Sequence, residues 1–182
     1  MTAATDSSGA RHRRSRTRGQ ALVEFTIVAP LLFFFLLGVL ESGLLLFSVG
    51  SARFGAGEMA RQESESGNAA SADQLSISVL RGTAIGTTSL AKVNEIDIYH
   101  LIEQSNGALT VDAAHYNRYR LDGTGIGATT WPPATRNVVN GQSDFLGITI
   151  KYQYNWKTGV FLANSPLQLQ QTFEIRLEPQ TY

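Results

Sequence analysis

Residues 25–52 read FTIVAPLLFFFLLGVLESGLLLFSVGSA, an apolar run of 28 residues in which Glu41 is the only charge. A helix needs roughly 20 apolar residues to cross the hydrocarbon core of a bilayer, so this stretch is long enough to span. A removable signal peptide has a shorter apolar core that ends at a small-x-small cleavage site, and this run is too long for that. Pro30 falls in its first turns, where the missing amide donor and the crowded preceding carbonyl predict a bend. Residues 53–65 (RFGAGEMARQESE) are rich in helix formers despite Gly55 and Gly57, so the helix is expected to continue outward. Residues 67–71 break it, Asp73 is placed to cap a second helix over residues 74–80, and Gly82 and Gly86 end that helix.

From residue 93 onward the period changes from helical to alternating. Residues 93–102 (VNEIDIYHLI) form an expected strand with Ile96, Ile98 and Ile102 toward the core. Residues 109–111 and 115–121 read as two short extended pieces, and residues 123–133 as a loop by their Gly and Pro content. The clearest strand is 145–156, where Leu146, Ile148, Ile150, Tyr152, Tyr154 and Trp156 alternate on one face. Residues 168–177 alternate likewise, and the turn between these two strands contains Gly159 and Pro166. The expected fold class is α+β and pilin-like: a long N-terminal transmembrane helix continuing into an exported domain with an antiparallel sheet of roughly three to five strands. The corresponding boundaries are a basic leader at 1–19, the transmembrane helix at 20–52, a helical extension and second short helix at 53–88, and the β-rich domain at 89–182.

Charge decides the orientation. Residues 1–20 hold five Arg against one Asp, whereas the rest of the chain holds ten basic and fourteen acidic groups, so a formal charge of zero hides a strong asymmetry. An excess of Arg beside a first apolar segment holds the N-terminus in the cytoplasm, which exports everything after about Arg53. Clustered Arg also suits a nucleic-acid arm. The adjoining apolar run already accounts for the cluster, so the expected partner is membrane lipid and not nucleic acid. The chain has no Cys, which excludes disulfides, thiolate metal sites and a cysteine nucleophile.

A carboxylate at the centre of a membrane helix costs about 2.5 to 3.5 kcal/mol and usually has a partner or a function. Glu24 stands at the cytoplasmic entrance, where a side chain can snorkel to the interface. Glu41 follows 17 residues later, about 25 Å along a helix, near the outer interface. Gly38 and Ser42 are a small-xxx-small pair beside it, so Pro30, Gly38, Glu41 and Ser42 read as a helix-packing patch. The plainer alternative is that Glu41 only reaches the headgroups.

Catalytic chemistry is thin. The exported part holds only His100 and His115 as imidazole bases. Asp112 and His115 are three apart, but no third ligand with convincing spacing follows, so they read as a solvated polar pair. Gly123, Gly125 and Gly127 lack the Lys-Ser/Thr ending of a phosphate loop. Trp131, Tyr152, Tyr154 and Trp156 read as core and cross-strand aromatics rather than a ligand surface. No catalytic residue, metal or cofactor is expected.

Gly19-Gln20-Ala21-Leu22-Val23-Glu24-Phe25, followed by Pro30-Leu31-Leu32 and then Gly38-Val39-Leu40-Glu41-Ser42-Gly43, resembles the N-terminal signature of the TadE-like pseudopilins of tight-adherence (Tad/Flp) pilus systems. Ala60-Arg61 falls where that family places an Ala-Arg after its membrane helix. The resemblance implies cleavage by a prepilin peptidase between Gly19 and Gln20, which makes Glu24 the fifth mature residue and Phe25 the sixth. Cleavage would expose a new α-amino group able to pair with Glu24 of a neighbouring subunit in a low-dielectric bundle. It further implies a noncatalytic, low-abundance component of pilus assembly or secretion, in the inner membrane, with other pilins, pseudopilins and inner-membrane assembly proteins as partners. Two other readings remain at this point: an uncleaved single-pass protein whose exported domain binds a ligand or envelope partner, and a membrane-tethered enzyme built on His100 or His115.

Overall fold

A computed structural model describes residues 10–159 and 165–180, with side chains from residue 19. Residues 1–9, within the expected leader, part of the turn between the last two strands, and residues 181–182 lie outside the described residues. Helix α1, Ala10–Ser66, runs unbroken through Pro30 for 57 residues, about 85 Å at 1.5 Å per residue. It stops where Gly67 adopts φ 55° and its amide bonds back to the Glu63 carbonyl at 3.0 Å. That left-handed position suits glycine because it carries no Cβ.

Two short helices follow, α2 at Ala72–Gly82 and α3 at Ala84–Thr87. The strands are β1 (Ala91–Glu103), β2 (Leu109–Tyr119), β3 (Phe145–Tyr154) and β4 (Leu167–Arg176). They form a single antiparallel sheet in the order β2-β1-β3-β4. An apolar N-terminal helix with a four-stranded antiparallel sheet is the α+β layout the patterning predicts.

One face of the sheet packs on the helices. Leu146, Ile148, Ile150 and Tyr152 of β3 meet Ile96 and Ile98 of β1, Ile77 and Leu80 of α2, and Ala52, Ala56, Met59 and Ala60 of α1. The alanines recur every four residues, which keeps one stripe of α1 thin enough for close approach to the sheet. The opposite face is polar: Lys151 Nζ lies 2.7 Å from both Glu95 and Asp97, and Tyr99 stacks on Tyr116 at 5.2 Å and bonds Thr149 at 3.0 Å. Tyr152 and Tyr154 are buried as expected of core aromatics, as is Trp131, while Trp156 lies past the end of β3 and is half-buried.

Three local expectations change. Ile102 is not a core residue: it is 42% exposed, one residue from the hairpin end of β1 and outside the core cluster, and Leu101 is buried instead. The simple alternation fails because β1 slips register between Val93 and Glu95, where it meets β3, and between Tyr99 and Leu101, where it meets β2. Residues 109–119 form one strand, β2, whose pairing with β1 is irregular at 112–115, and residues 120–121 of the expected second piece lie past its end. Asp73 does not cap α2. Ser71 holds the N-cap position without a side-chain bond, and Asp73 lies inside the first turn, buried, with its carboxylate turned to Arg136, Asn117 and Tyr119.

Candidate functional site

Residues 19–37 of α1 are exposed at every position except the half-buried Ala29. The exposed side chains include Leu22, Phe25, Ile27, Leu31, Phe33, Phe35 and Leu36, an apolar surface that water does not favour. This part of α1 is long and apolar enough to cross a membrane. At its start Gln20 donates to Glu24 at 2.9 Å, one turn apart, with both side chains open to the surroundings. Phe25 is equally open. Gly19 and Gly38 have free space where a Cβ would stand, and the Ser42 hydroxyl bonds back to the Gly38 carbonyl at 2.9 Å. The Gly38–Ser42 notch is therefore left unfilled by the rest of the described chain.

Burial begins at Glu41. From there Ser48, Ser51, Ala52, Ala56, Met59, Ala60, Glu63 and Ser64 are buried at helical spacing, which marks the stripe of α1 that the domain covers. Glu41 itself is fully buried and accepts four hydrogen bonds. Tyr154 donates its hydroxyl at 2.5 Å, the Lys157 amide reaches both oxygens at 3.1 and 3.2 Å, and the Thr158 amide reaches one at 2.6 Å. Burial, together with the adjacent carboxylate, pushes the Tyr154 phenol well above its ordinary value, so it stays a donor. Glu41 thus clamps the end of β3 and the segment after it onto the helix. Sequence spacing placed it near a packing notch, but its partners are more than a hundred residues away.

A second clamp sits in the last turn of α1. Arg136 donates to Glu63 at 2.7 Å and to Asp73, with Arg136 and Glu63 fully buried and Asp73 nearly so. Ser76 completes the shell of Glu63, while Asn117 and Tyr119 donate to Asp73 at 3.0 and 2.7 Å. The guanidinium also lies 4.6 Å from the centre of the Trp131 ring. Burial pushes Glu63 up to about 7, with the neighbouring Asp73 charge acting in the same direction and Arg136 against it. Three sequence-distant charges therefore join α1, α2 and the loop before β3. None of them was a candidate by motif.

At the β1–β2 hairpin the structure adds a third group to the Asp112–His115 pair. His100 Nδ1 and His115 Nδ1 lie 3.2 and 2.6 Å from the same Asp112 oxygen, and the three ligand atoms fall within 4.8 Å of one another. Hydrogen bonds from His115, the Ala114 amide and His100 lower the Asp112 carboxyl to about 2. Such a set can hold a divalent cation by ligand type and spacing. Pairing residues 93–102 with 109–111 as a hairpin was the signal that could have brought His100 into it.

No curated protein and no solved structure matches the chain significantly. Residues 19–61 match the family model described as "TadE-like protein", the same segment that holds the exposed apolar helix, Glu24, Glu41 and Ala60-Arg61. The likeness is confined to that segment, about a quarter of the chain, and TadE-like proteins are a Tad pilus-associated structural family.

Proposed function

We propose that this protein is a noncatalytic, pseudopilin-like component of a Tad/Flp pilus assembly or secretion apparatus. In this reading α1 anchors it in the inner membrane, with the N-terminus in the cytoplasm and the domain exported. The observation that carries the reading is the coincidence of the TadE-like match with an apolar helix whose surface the rest of the chain leaves uncovered. The membrane-crossing part then comprises residues 20–40, shorter than the 20–52 that the apolar run alone suggests, because Glu41 begins the stripe that the domain buries. Twenty-one residues rise about 32 Å, close to the roughly 30 Å of a hydrocarbon core.

Prepilin peptidase cuts between Gly19 and Gln20 in this account, removing the Arg anchor. The new α-amino group of Gln20 pairs with Glu24 of a neighbouring pilin or pseudopilin, where low dielectric strengthens an ion pair and fixes helix register. Gly38 and Ser42 offer the close-approach face, and Phe25 and Pro30 on the same exposed helix complete the intersubunit surface. Inner-membrane assembly proteins and lipid are the other partners.

The Glu24→Ala variant tests the pairing role. Insertion and abundance in the membrane are expected to be unchanged while incorporation into the apparatus, followed by co-purification with the other pilins, falls sharply. Unimpaired incorporation at normal abundance would refute it.

A further inference from the structure

We propose that His100, Asp112 and His115 form a binding site for a divalent transition-metal ion of the zinc type, with Asp144 as the carboxylate that orients His100. The site originates in the sheet register. Tyr99 pairs with Tyr116 and Leu101 with Val111, so residues 112–115 of β2 stand opposite His100 alone. Four residues facing one must leave the ladder, and this excursion brings Asp112 and His115 over His100. The Ala114 amide bonds Asp112 Oδ1 at 3.0 Å, which holds the carboxylate with Oδ2 toward both imidazoles.

The donor set is two imidazole nitrogens and one carboxylate oxygen, the ligand types that zinc accepts alongside a solvent molecule in an open position. Metal–ligand bonds near 2.0–2.1 Å in tetrahedral geometry separate ligand atoms by roughly 3.3 Å. The His100 to Asp112 distance of 3.2 Å fits directly. The His115 to Asp112 distance of 2.6 Å must open by several tenths of an ångström, and the His115 side chain, 47% exposed, has room to do so. Both Nδ1 atoms point at one oxygen, so a metal ion would replace the protons that otherwise bridge them.

A carboxylate also stands near the other ring nitrogen of His100, at a distance that must shorten by about half an ångström to become a hydrogen bond. His100 Nε2, the nitrogen left over, lies 3.7 Å from Asp144 Oδ1, and Asp144 Oδ2 is held by the Asn137 amide at 2.8 Å. Metal-bound histidines characteristically donate their other ring N–H to a carboxylate, which fixes the tautomer and ring orientation. Trp131 packs against the His100 ring with 5.3 Å between centroids. A bound ion would staple the irregular stretch of β2 to β1 and to the loop before β3.

The test uses the full-length, untagged chain in detergent micelles, stripped with a chelator and titrated with zinc chloride alone by calorimetry, with calcium chloride as the comparison. One zinc per chain is expected, with no comparable calcium uptake. His115→Gln and Asp112→Asn should each weaken zinc binding by at least ~10-fold, and Asp144→Asn by about 10-fold through loss of the orienting carboxylate. His12→Gln in the leader should change nothing. Zinc should also raise the melting temperature of the wild type but not of His115→Gln, because only a ligand that binds the folded state stabilises it. His115 is exposed, so its variant keeps the fold, and circular dichroism checks that directly. Failure to take up zinc, or equal uptake by wild type and His115→Gln, would overturn the proposal.

Discussion

Replacing Arg136 by Met removes the only cation from a buried cluster that contains two carboxylates. Glu63 and Arg136 are fully buried, and Asp73 is 4% exposed at its side chain, so water cannot substitute for the lost guanidinium. Ser76, Asn117 and Tyr119 remain as donors, but none carries charge. Removing one partner of a buried pair costs about 3–5 kcal/mol, since the desolvation of the remaining charge is no longer offset. At roughly 2–4 °C per kcal/mol for a chain of this size, the melting temperature should fall by about 10 °C. Thermal melts by far-UV circular dichroism at pH 7.5, in micelles, read this directly. The reasoning also predicts recovery. The triple variant Glu63→Gln, Asp73→Asn, Arg136→Met has no charge left in this cluster and should regain most of the loss. A cost below about 1 kcal/mol for Arg136→Met, or a triple variant no more stable than the single one, would refute the argument.

Further outcomes follow from the same geometry. Glu41→Ala strands the Tyr154 hydroxyl and the Lys157 and Thr158 amides, and should cost about 2–4 kcal/mol in total. Hydrogen exchange at those two amides should accelerate with it, whereas Glu41→Gln, which keeps one acceptor, should show a smaller effect. Glu63 sets the pH dependence: burial raises its folded value from 4.5 to about 7, so the folded state binds its proton more tightly than the unfolded chain. Its contribution is complete below about 4.5 and is lost as pH rises toward 7, so the melting temperature should decline between pH 5 and pH 8, and Glu63→Gln should flatten that decline. Asp112 titrates too low to contribute in this window.

The parts of the molecule visible in the sequence are those with a local cause. The apolar run announces α1, and strict period-two alternation announces β3 and β4, because side chains on a strand facing helices must alternate between core and solvent. Residues 93–102 were legible as a strand with Ile96 and Ile98 toward the core, but not Ile102, since the register slip between Tyr99 and Leu101 shifts the phase without leaving a Gly or Pro to mark it. Asp73 satisfies the local rule for a helix cap, yet buried donors from β2 and residue 136 claim its carboxylate. Glu41, Glu63 and His100 gain their meaning from partners far along the chain. Their roles depend on strand order and on how α1 lies against the sheet, which spacing does not encode.

The central claim is that residues 1–19 are a leader and that the working helix begins at Gln20. Intact mass and N-terminal sequence of the protein recovered from membranes of its native cell, with and without prepilin peptidase, test it most directly. The account predicts a chain beginning at Gln20 only when the peptidase is present, and a chain that retains residues 1–19 in both cells would contradict it.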